Sequence, residues 1–129
     1  MKKYDNFVSS LKNLKLIRDY NEPYDTVTLT GLVGLYEICF EQAWKAMKEV
    51  LEDHGYSEGM TGSPKQILKT AFSAGMINDE ISWLDALQAR NNVAHSYNEA
   101  IAKDIVSGAR NAYLDLFIDL ERVLRENWI

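Results

Sequence analysis

The chain has 129 residues, 47% of them hydrophobic and 26% charged, which is typical of a globular protein and excludes a disordered one. Its net charge of −5 excludes the broad basic surface that nonspecific nucleic-acid binding needs, although a local site of a few cations remains open. A single cysteine, Cys39, excludes an intrachain disulfide framework. We therefore expect one domain over residues 1–129.

The N-terminal segment predicts a helix and no targeting signal. Lys2 and Lys3 are not followed by an apolar run, and no run approaches the roughly 20 residues that span a bilayer, so we expect a cytoplasmic protein without membrane contact. The basic residues between positions 2 and 18 predict a solvated helix face, with a binding arm as the alternative. The apolar residues of this first helix have helical spacing: Tyr4, Phe7, Val8, Leu11 and Leu14. Asn21-Glu22-Pro23 should end the helix.

The second predicted helix has the clearest amphipathic pattern of the chain. Its apolar stripe is Leu29, Leu32, Val33, Tyr36, Cys39, Phe40, Ala43, Trp44, Met47, Val50 and Leu51, and its solvated side is Glu37, Glu41, Lys45, Lys48 and Glu52. His54 and Gly55 suit the C-terminal end, which favours a structural role for His54 over a catalytic one. Cys39, on the apolar stripe, is predicted to be a buried hydrophobe and not a nucleophile.

Glycine, proline and capping residues divide the rest of the chain. Three glycines within residues 55–62 predict a loop, and Ser63-Pro64 should start a short helix that ends near Ala74 at Gly75. Asn78 is predicted to cap a fourth helix that runs to about His95. Asn98 should cap a last helix with the apolar residues Ile101, Ile105, Ala109, Ala112, Leu116, Leu120 and Val123. The pattern predicts an all-α fold, an up-and-down four-helix bundle with one additional short helix.

The end of the fourth helix gathers Arg90, Asn91, His95 and Tyr97 within two turns. A helical wheel predicts that Ile81, Leu84 and Leu87 face the core and that Gln88, Asn91 and His95 extend this stripe, so that Asn91 could orient His95. Arg90 falls about 140° from His95, on a second apolar face with Trp83 and Ala86. A second apolar face predicts a homodimer in which Arg90 of one chain approaches His95 of the other.

These residue types suit metal-free cleavage of RNA. His95 could accept a proton from a ribose 2′-hydroxyl, Arg90 could hold the phosphate, and Asn91 could orient either group. We expect no metal and no cofactor, because two distant histidines and one cysteine do not supply a metal centre. The residues alone leave open a buried Arg–Asn–His network that only joins a helix end to its neighbours.

The string from Arg90 to Tyr97, Arg-Asn-Asn-Val-Ala-His-Ser-Tyr, resembles the signature of the HEPN superfamily, in which four residues separate an Arg from a His. The Phe40–Lys45 segment, the Ser63-Pro64 helix start and the Asn78–Trp83 segment are similar as well. The closest resemblance is to the bacterial nucleotidyltransferase substrate-binding proteins, and it extends over roughly residues 4–127.

This resemblance implies a dimeric helical bundle encoded beside a minimal nucleotidyltransferase and paired with it, often as a toxin–antitoxin module. It implies that Arg90 and His95 are the catalytic pair of a ribonuclease, supported by Asn91. It also implies that Tyr97 can accept AMP from the partner and so silence the toxin, whereas tyrosine packing at a dimer edge is the plain alternative. Besides Arg90, the cations available for RNA are Arg110 and the N-terminal lysines. A noncatalytic subunit that binds a nucleotide or substrate is the alternative function, and a purely structural dimerisation module is the third.

Overall fold

A computed structural model describes residues 1–56 and 62–129, and these residues form helices and connecting turns. The helices are α1 (Lys2–Leu14), α2 (Thr26–Asp53), α3 (Pro64–Ser73), α4 (Glu80–Asn91), α5 (Glu99–Gly108) and α6 (Leu114–Val123). α1, α2, α4 and the continuous α5–α6 rod form an all-α bundle, and α3 is the additional short helix. The predicted fold class is confirmed.

The apolar stripes of α1 and α2 pack against each other and build one side of the core. Almost all of the α2 stripe is buried, from Leu29 to Leu51, whereas Trp44 is only half-buried. In α1 the prediction was wrong for Val8, which is 39% exposed, while Ser10 is buried and donates a hydrogen bond to the Phe7 carbonyl at 2.9 Å. The hydroxyl can take this buried place because its donor is satisfied within the helix.

Helix ends lie near the predicted capping residues and glycines, with two corrections. The first helix was predicted to end at Asn21-Glu22-Pro23, but α1 ends at Leu14 and a 3₁₀ turn, Lys15–Asp19, follows it. Gly55 and Gly75 both have positive φ, and the Ser63 hydroxyl accepts the Gln66 N–H at the start of α3. The cap of α4 is Asp79 and not Asn78, because the Asp79 carboxylate accepts the Ser82 N–H at 3.0 Å. A charged acceptor is favoured at the positive end of a helix. Of the predicted loop at 55–62, residues 57–61 lie outside the described residues.

The last helix contains a π-helical turn, Ala109–Tyr113, between α5 and α6, and a second one, Leu124–Trp128, follows α6. A π turn shifts the face of a helix, because its hydrogen bonds span one residue more than those of an α-helix. Ala112, predicted to be apolar and inward, is therefore exposed, whereas Leu114 and Phe117 are buried. The predicted apolar stripe was therefore wrong at Ala112, whereas Leu120 is buried as predicted.

Aromatic rings from three helices meet at the centre of the bundle. The Phe117 ring lies 6.0 Å from that of Tyr36 and 5.4 Å from that of Trp83, measured between centroids. The buried Tyr36 hydroxyl donates a hydrogen bond to the Ala86 carbonyl, which joins α2 to α4. The core thus holds α4, the helix that carries the Arg–His string, in place. Among the described residues, no helix is long and apolar enough to cross a membrane.

Candidate functional site

The Arg–His string lies where α4 ends and the chain turns into α5. Arg90 and Asn91 are the last residues of α4, and Asn92–His95 tighten into a 3₁₀ turn. Tyr97 follows in the connection, and the Asn98 side chain caps α5 by accepting the Ile101 N–H at 3.2 Å. The connection is short, so it holds His95 and Tyr97 at one end of the bundle.

The core-facing side of α4 includes Leu87, which is buried as predicted, together with the side that the helical wheel assigned to a partner. Ile81, predicted to face the core, is 75% exposed, whereas Trp83 is 2% exposed and packs on Phe40 and Phe117. The largest side chain of α4 thereby takes the inner position, since it buries the most apolar area. Arg90 consequently faces α2, and the apolar residue left on the outer side is Ile81.

Arg90 is held by two neighbours. Its Nη2 forms an ion pair with Oε1 of Glu41 in α2, and its Nη1 donates to the Asn91 side-chain oxygen at 3.2 Å. The other Glu41 oxygen accepts the Trp44 indole N–H at 3.2 Å. The two paired side chains are only 28% and 23% exposed, which makes this a half-buried pair and not a surface one. A guanidinium has five N–H donors, so donors remain for a ligand.

His95 and Tyr97 are exposed and lie beside each other. Their ring centroids are 6.4 Å apart in an edge-to-face arrangement, and Tyr97 is 87% exposed. The expectation that Asn91 orients His95 was wrong, because the Asn91 oxygen binds Arg90 instead. Within the described part of one chain, no hydrogen bond or ion pair joins His95 to Arg90. The imidazole is therefore accessible to a ligand from solvent.

Arg110, the other arginine considered as an RNA contact, has a structural role. Its guanidinium donates to the Tyr20 carbonyl, to Asn21 Oδ1 at 2.9 Å and to the Tyr24 hydroxyl at 3.2 Å. These contacts attach the connection between α1 and α2 to the π turn. Arg110 is thus occupied by the protein itself, and the exposed N-terminal Lys2 and Lys12 lie on α1.

The other candidate nucleophile and base have the structural roles that their positions predicted. Cys39 is fully buried, and this burial raises the pKa of its thiol to about 12, so the reactive thiolate is not formed near neutral pH. His54 Nδ1 lies 2.9 Å from the Val50 carbonyl, and the ring packs edge-to-face on Trp128. Neither residue takes part in the site at the end of α4.

The cleft on the α5 side of the motif is acidic. It has a volume of about 270 Å³ and is lined by Asp85, Gln88, Asn92, Asp104 and Tyr113, among others. Burial and the nearby Asp85 carboxylate raise the pKa of the Tyr113 phenol. The two carboxylates disfavour a phosphate group in this cleft. In the described residues, no group of three or more His, Cys, Asp or Glu side chains is placed to hold a metal ion.

Glu41 is the residue of this site that sequence reasoning missed. The α2 pattern placed Glu41 on the solvated side, yet its carboxylate is turned to Arg90 and Trp44. The available signal was its position: Glu41 directly follows the buried Phe40 and precedes the half-buried Trp44 by three residues, at the border of the apolar stripe. A carboxylate at such a border needs a partner when it is partly desolvated.

Comparisons with known proteins agree with this architecture. A family model described as nucleotidyltransferase substrate binding protein like matches residues 2–126. The crystal structure of a protein from Thermus thermophilus superposes with a TM-score of 0.79 at 26% sequence identity, covering 93% of this chain and 99% of the other. No curated protein sequence matches the chain significantly.

Proposed function

Because the chain belongs to the nucleotidyltransferase substrate binding protein-like family, we propose that it is the HEPN component of a two-component system with a minimal nucleotidyltransferase. In this proposal residues 1–129 form a single HEPN-like domain that acts as a metal-independent endoribonuclease. Arg90 and His95 are its catalytic residues, Asn91 is a positioning residue, and Tyr97 accepts AMP from the partner enzyme. The protein acts in the cytoplasm.

One observation carries the proposal: a guanidinium held at a helix end lies one short turn from an exposed imidazole. Arg90 is oriented by Glu41 and Asn91, so little conformational entropy is lost when it binds a phosphate. His95 is exposed and can approach a ribose hydroxyl from solvent. A cation for the phosphate and a base for the hydroxyl are the two groups that RNA cleavage by internal attack requires.

The reaction proceeds without an added nucleophile. His95 accepts the proton of the 2′-hydroxyl, the 2′-oxygen attacks phosphorus, and the bond from phosphorus to the 5′-oxygen breaks. The products are a 2′,3′-cyclic phosphate and a 5′-oxyanion, which takes a proton from water and becomes a 5′-hydroxyl, while the His95 imidazolium returns its proton to solvent. Arg90 stabilises the negative charge that accumulates on the phosphate oxygens in the transition state.

The two catalytic groups come from different chains of a homodimer in this proposal. Arg90 faces α2 of its own chain, whereas His95 points to solvent at the end of α4. A two-fold axis near this end would place the His95 of each chain beside the Arg90 of the other. The exposed Ile81 on the outer side of α4 supplies apolar surface for such contact.

Tyr97 is the proposed acceptor of AMP. Its phenol is 87% exposed and stands beside the His95 ring. The phenol oxygen would attack the α-phosphorus of ATP on the nucleotidyltransferase, losing its proton and releasing pyrophosphate. The attached nucleotide would obstruct His95 by its bulk and negative charge, and so end cleavage.

A noncatalytic subunit that binds a nucleotide or substrate for the partner enzyme is the second candidate. It is favoured by the ion pair between Arg90 and Glu41, which reduces the net positive charge available to a transition state, while the remaining guanidinium N–H donors can still hold a nucleotide phosphate. This candidate predicts nucleotide affinity that falls in Arg90→Ala, without cleavage of RNA.

Cleavage of RNA in excess chelator by wild type, His95→Ala and His54→Ala tests the proposal. Loss of a general base should slow cleavage by about 10²–10⁴-fold in His95→Ala, whereas His54→Ala should cleave like wild type. Equal cleavage by wild type and His95→Ala, or none by wild type, would remove the nuclease assignment. Peptide mass analysis after co-expression with the nucleotidyltransferase tests Tyr97, with Tyr97→Phe as the control.

A further inference from the structure

A second cleft, on the α2 side of the motif, is next to Tyr97 and is called here the Tyr97 cleft. It lies where the first turns of α2 and α5 meet the connection after His95, and its volume is about 150 Å³. Its polar lining is Tyr24, Thr26, Thr30, Ser96, Tyr97 and Glu99. Of its lining residues, only Tyr97 takes part in the proposed function.

The walls of the Tyr97 cleft are suited to a flat ring. Tyr24 and Tyr97 present aromatic rings, and Leu29 and Ala102 add apolar surface. Tyr24 is fixed, because its hydroxyl accepts a hydrogen bond from Arg110 Nη1 at 3.2 Å. Aromatic side chains that stack on a base are the usual means by which proteins hold unpaired nucleotides. The Tyr24 wall is thus in place before a ligand arrives, whereas the Tyr97 ring is exposed and can close against a bound base.

The charges around the Tyr97 cleft disfavour a phosphate inside it. Glu99 lines the cleft, and Asp25 precedes Thr26 as the cap of α2. Both helix starts also have capping acceptors, because Asp25 binds the Thr28 N–H at 2.7 Å and Asn98 binds the Ile101 N–H. The positive helix ends are thus already compensated. The remaining hydroxyl and carboxylate oxygens suit an uncharged ligand that donates N–H groups.

The volume of the Tyr97 cleft further limits which ligands it can hold. Pockets for drug-sized ligands have volumes of about 300–1,000 Å³, so a cleft of 150 Å³ holds one ring system and not a whole nucleotide. We propose that the Tyr97 cleft binds a single unpaired nucleobase that carries an amino group, between Tyr24 and Tyr97, while its sugar and phosphate stay outside. This proposal rests on the proposed handling of RNA or nucleotide at His95 and Arg90.

The position of the cleft relates it to the proposed chemistry. Ser96 and Tyr97 directly follow His95, so a base seated there leaves its ribose near the imidazole. The bound nucleobase would then select which linkage is cleaved, because its position determines which ribose 2′-hydroxyl reaches His95. The same cleft can take the base of a free nucleotide or that of an RNA strand.

Titration of the ¹⁵N-labelled full chain with adenosine, and separately with ribose 5-phosphate, tests the cleft by NMR. Adenosine should shift the amide signals of Thr26, Thr30 and Ser96, and ribose 5-phosphate should not. Thr30→Leu should weaken adenosine binding by about tenfold, because the larger apolar side chain fills part of the cleft and removes a hydroxyl from its lining. Thr28→Leu, the same change two positions earlier and outside this cleft, should bind like wild type.

Two variants of Tyr97 separate stacking from AMP transfer. Tyr97→Phe keeps the ring and should bind adenosine, although it has no hydroxyl to modify, whereas Tyr97→Ser should lose binding. The proposal is overturned if adenosine leaves these signals unmoved, if ribose 5-phosphate moves them equally, or if Thr30→Leu binds like wild type. These readouts do not depend on cleavage. Adenosine binding without RNA cleavage would therefore reject the proposed nuclease activity and support base binding in the Tyr97 cleft.

Single-stranded oligoadenylate distinguishes the two sources of the base. If RNA is the source, the oligonucleotide should shift the same signals more tightly than adenosine, because its phosphates add contacts outside the cleft. If a free nucleotide is the source, adenosine should bind and the oligonucleotide should not compete with it. Either result supports binding of a nucleobase in the Tyr97 cleft, and the two results distinguish RNA from a free nucleotide as its source.

Discussion

Glu41 and Asn91 hold Arg90 in place from two sides, and this arrangement fixes the direction of the guanidinium. The ion pair with Glu41 joins α4 to α2, and the indole of Trp44 binds the second carboxylate oxygen. Removing either charged partner leaves the other partly buried without compensation, which costs more than losing a surface pair. The ion pair therefore contributes both to stability and to the geometry of the candidate site.

A double-mutant cycle of Glu41→Gln and Arg90→Gln measures this pair. Each single variant should lower the free energy of unfolding by roughly 1–2 kcal/mol, and the coupling between them should be about 1 kcal/mol. Urea unfolding gives the four values.

The exposed pair of Lys48 and Glu52 is the control for that cycle. Its charges are 3.9 Å apart and its side chains are 37% and 44% exposed, so its coupling should be roughly 0.5 kcal/mol or less. Equal coupling in the two cycles would contradict a special role for the pair of Arg90 and Glu41.

Residue types at the site could be predicted from sequence, but their partners could not. The spacing of Arg90, Asn91, His95 and Tyr97 follows from the string itself. The contact of Arg90 with Glu41 depends on how two helices distant in sequence are rotated about their axes. The helical wheel of α4 predicted that Ile81, and not Trp83, is buried, because a periodic pattern does not indicate which of two apolar faces packs on the core.

At the scale of elements, the π turn at Ala109–Tyr113 decides which residues the last helix buries. It follows Gly108, and a Cβ added there would lie only 2.6 Å from the Tyr113 ring. That ring packs beside Tyr36, with centroids 5.6 Å apart, and lines the acidic cleft on its other side, so admitting a Cβ would require the ring to leave Tyr36 and move into that cleft. Gly108 therefore permits the close approach that the turn requires.

Gly108→Ala should destabilise the chain by about 1–3 kcal/mol, because the clash exceeds the gain in helix propensity. Thermal unfolding followed by circular dichroism measures the change. Gly31→Ala in α2 is the matched control, since nothing lies within 4 Å of its added Cβ, and it should raise stability by roughly 0.5–1 kcal/mol. A stabilised Gly108→Ala would contradict the packing of Tyr113 described above.

The caps of α2 and α4 make stability depend on pH. The pKa of Asp25 and that of Asp79 are lowered, mainly because each carboxylate accepts the backbone N–H of Thr28 or Ser82. A carboxylate with a lowered folded pKa stabilises the protein above its ordinary pKa, and this contribution is lost as pH falls through the folded value.

Replacing both caps, Asp25→Asn with Asp79→Asn, keeps the acceptor oxygens and removes the titration. The double variant should lose less stability than wild type when the pH falls from about 6 to about 3. Urea midpoints across this range test it. Asp104→Asn, an exposed acid within α5, should follow wild type, and parallel curves for all three proteins would exclude the caps as the cause.

Element boundaries were the most predictable part of the chain. Gly55, Ser63, Pro64 and Gly75 determine them through local backbone chemistry, which a sequence displays directly. The π turn was not predictable, because its position is set by how Tyr113 and Arg110 pack against residues from the first third of the chain.

At the scale of the whole molecule, the proposed homodimer depends on apolar surface left on the outer sides of the helices. Ile81 on α4 is 75% exposed and Val27 on α2 is 83% exposed. Ile81 and Val27 lie on different faces of the bundle, so substitutions at them test different interfaces. The proposed groove between Arg90 and His95 requires that the dimer contact involve the α4 face. The sequence predicted an extra apolar face on this helix and assigned it to the wrong side.

Light scattering after size exclusion should give about twice the chain mass of 14.8 kDa. Ile81→Glu should shift the protein to monomer, because it places a charge in the contact, and should abolish RNA cleavage with it. Val27→Glu, an equal change on α2, should remain dimeric. A dimer that persists in Ile81→Glu and dissociates in Val27→Glu would move the interface away from the motif.

The carboxylate of Glu41 also affects how salt acts on any bound polyanion. An incoming phosphate finds the Arg90 guanidinium already neutralised, so one anion is exchanged for another and fewer counterions are released than with a free cation. Affinity should then fall less steeply with ionic strength than a count of arginines would suggest. Recognition would come to depend on the fit of sugar and base, which salt does not screen.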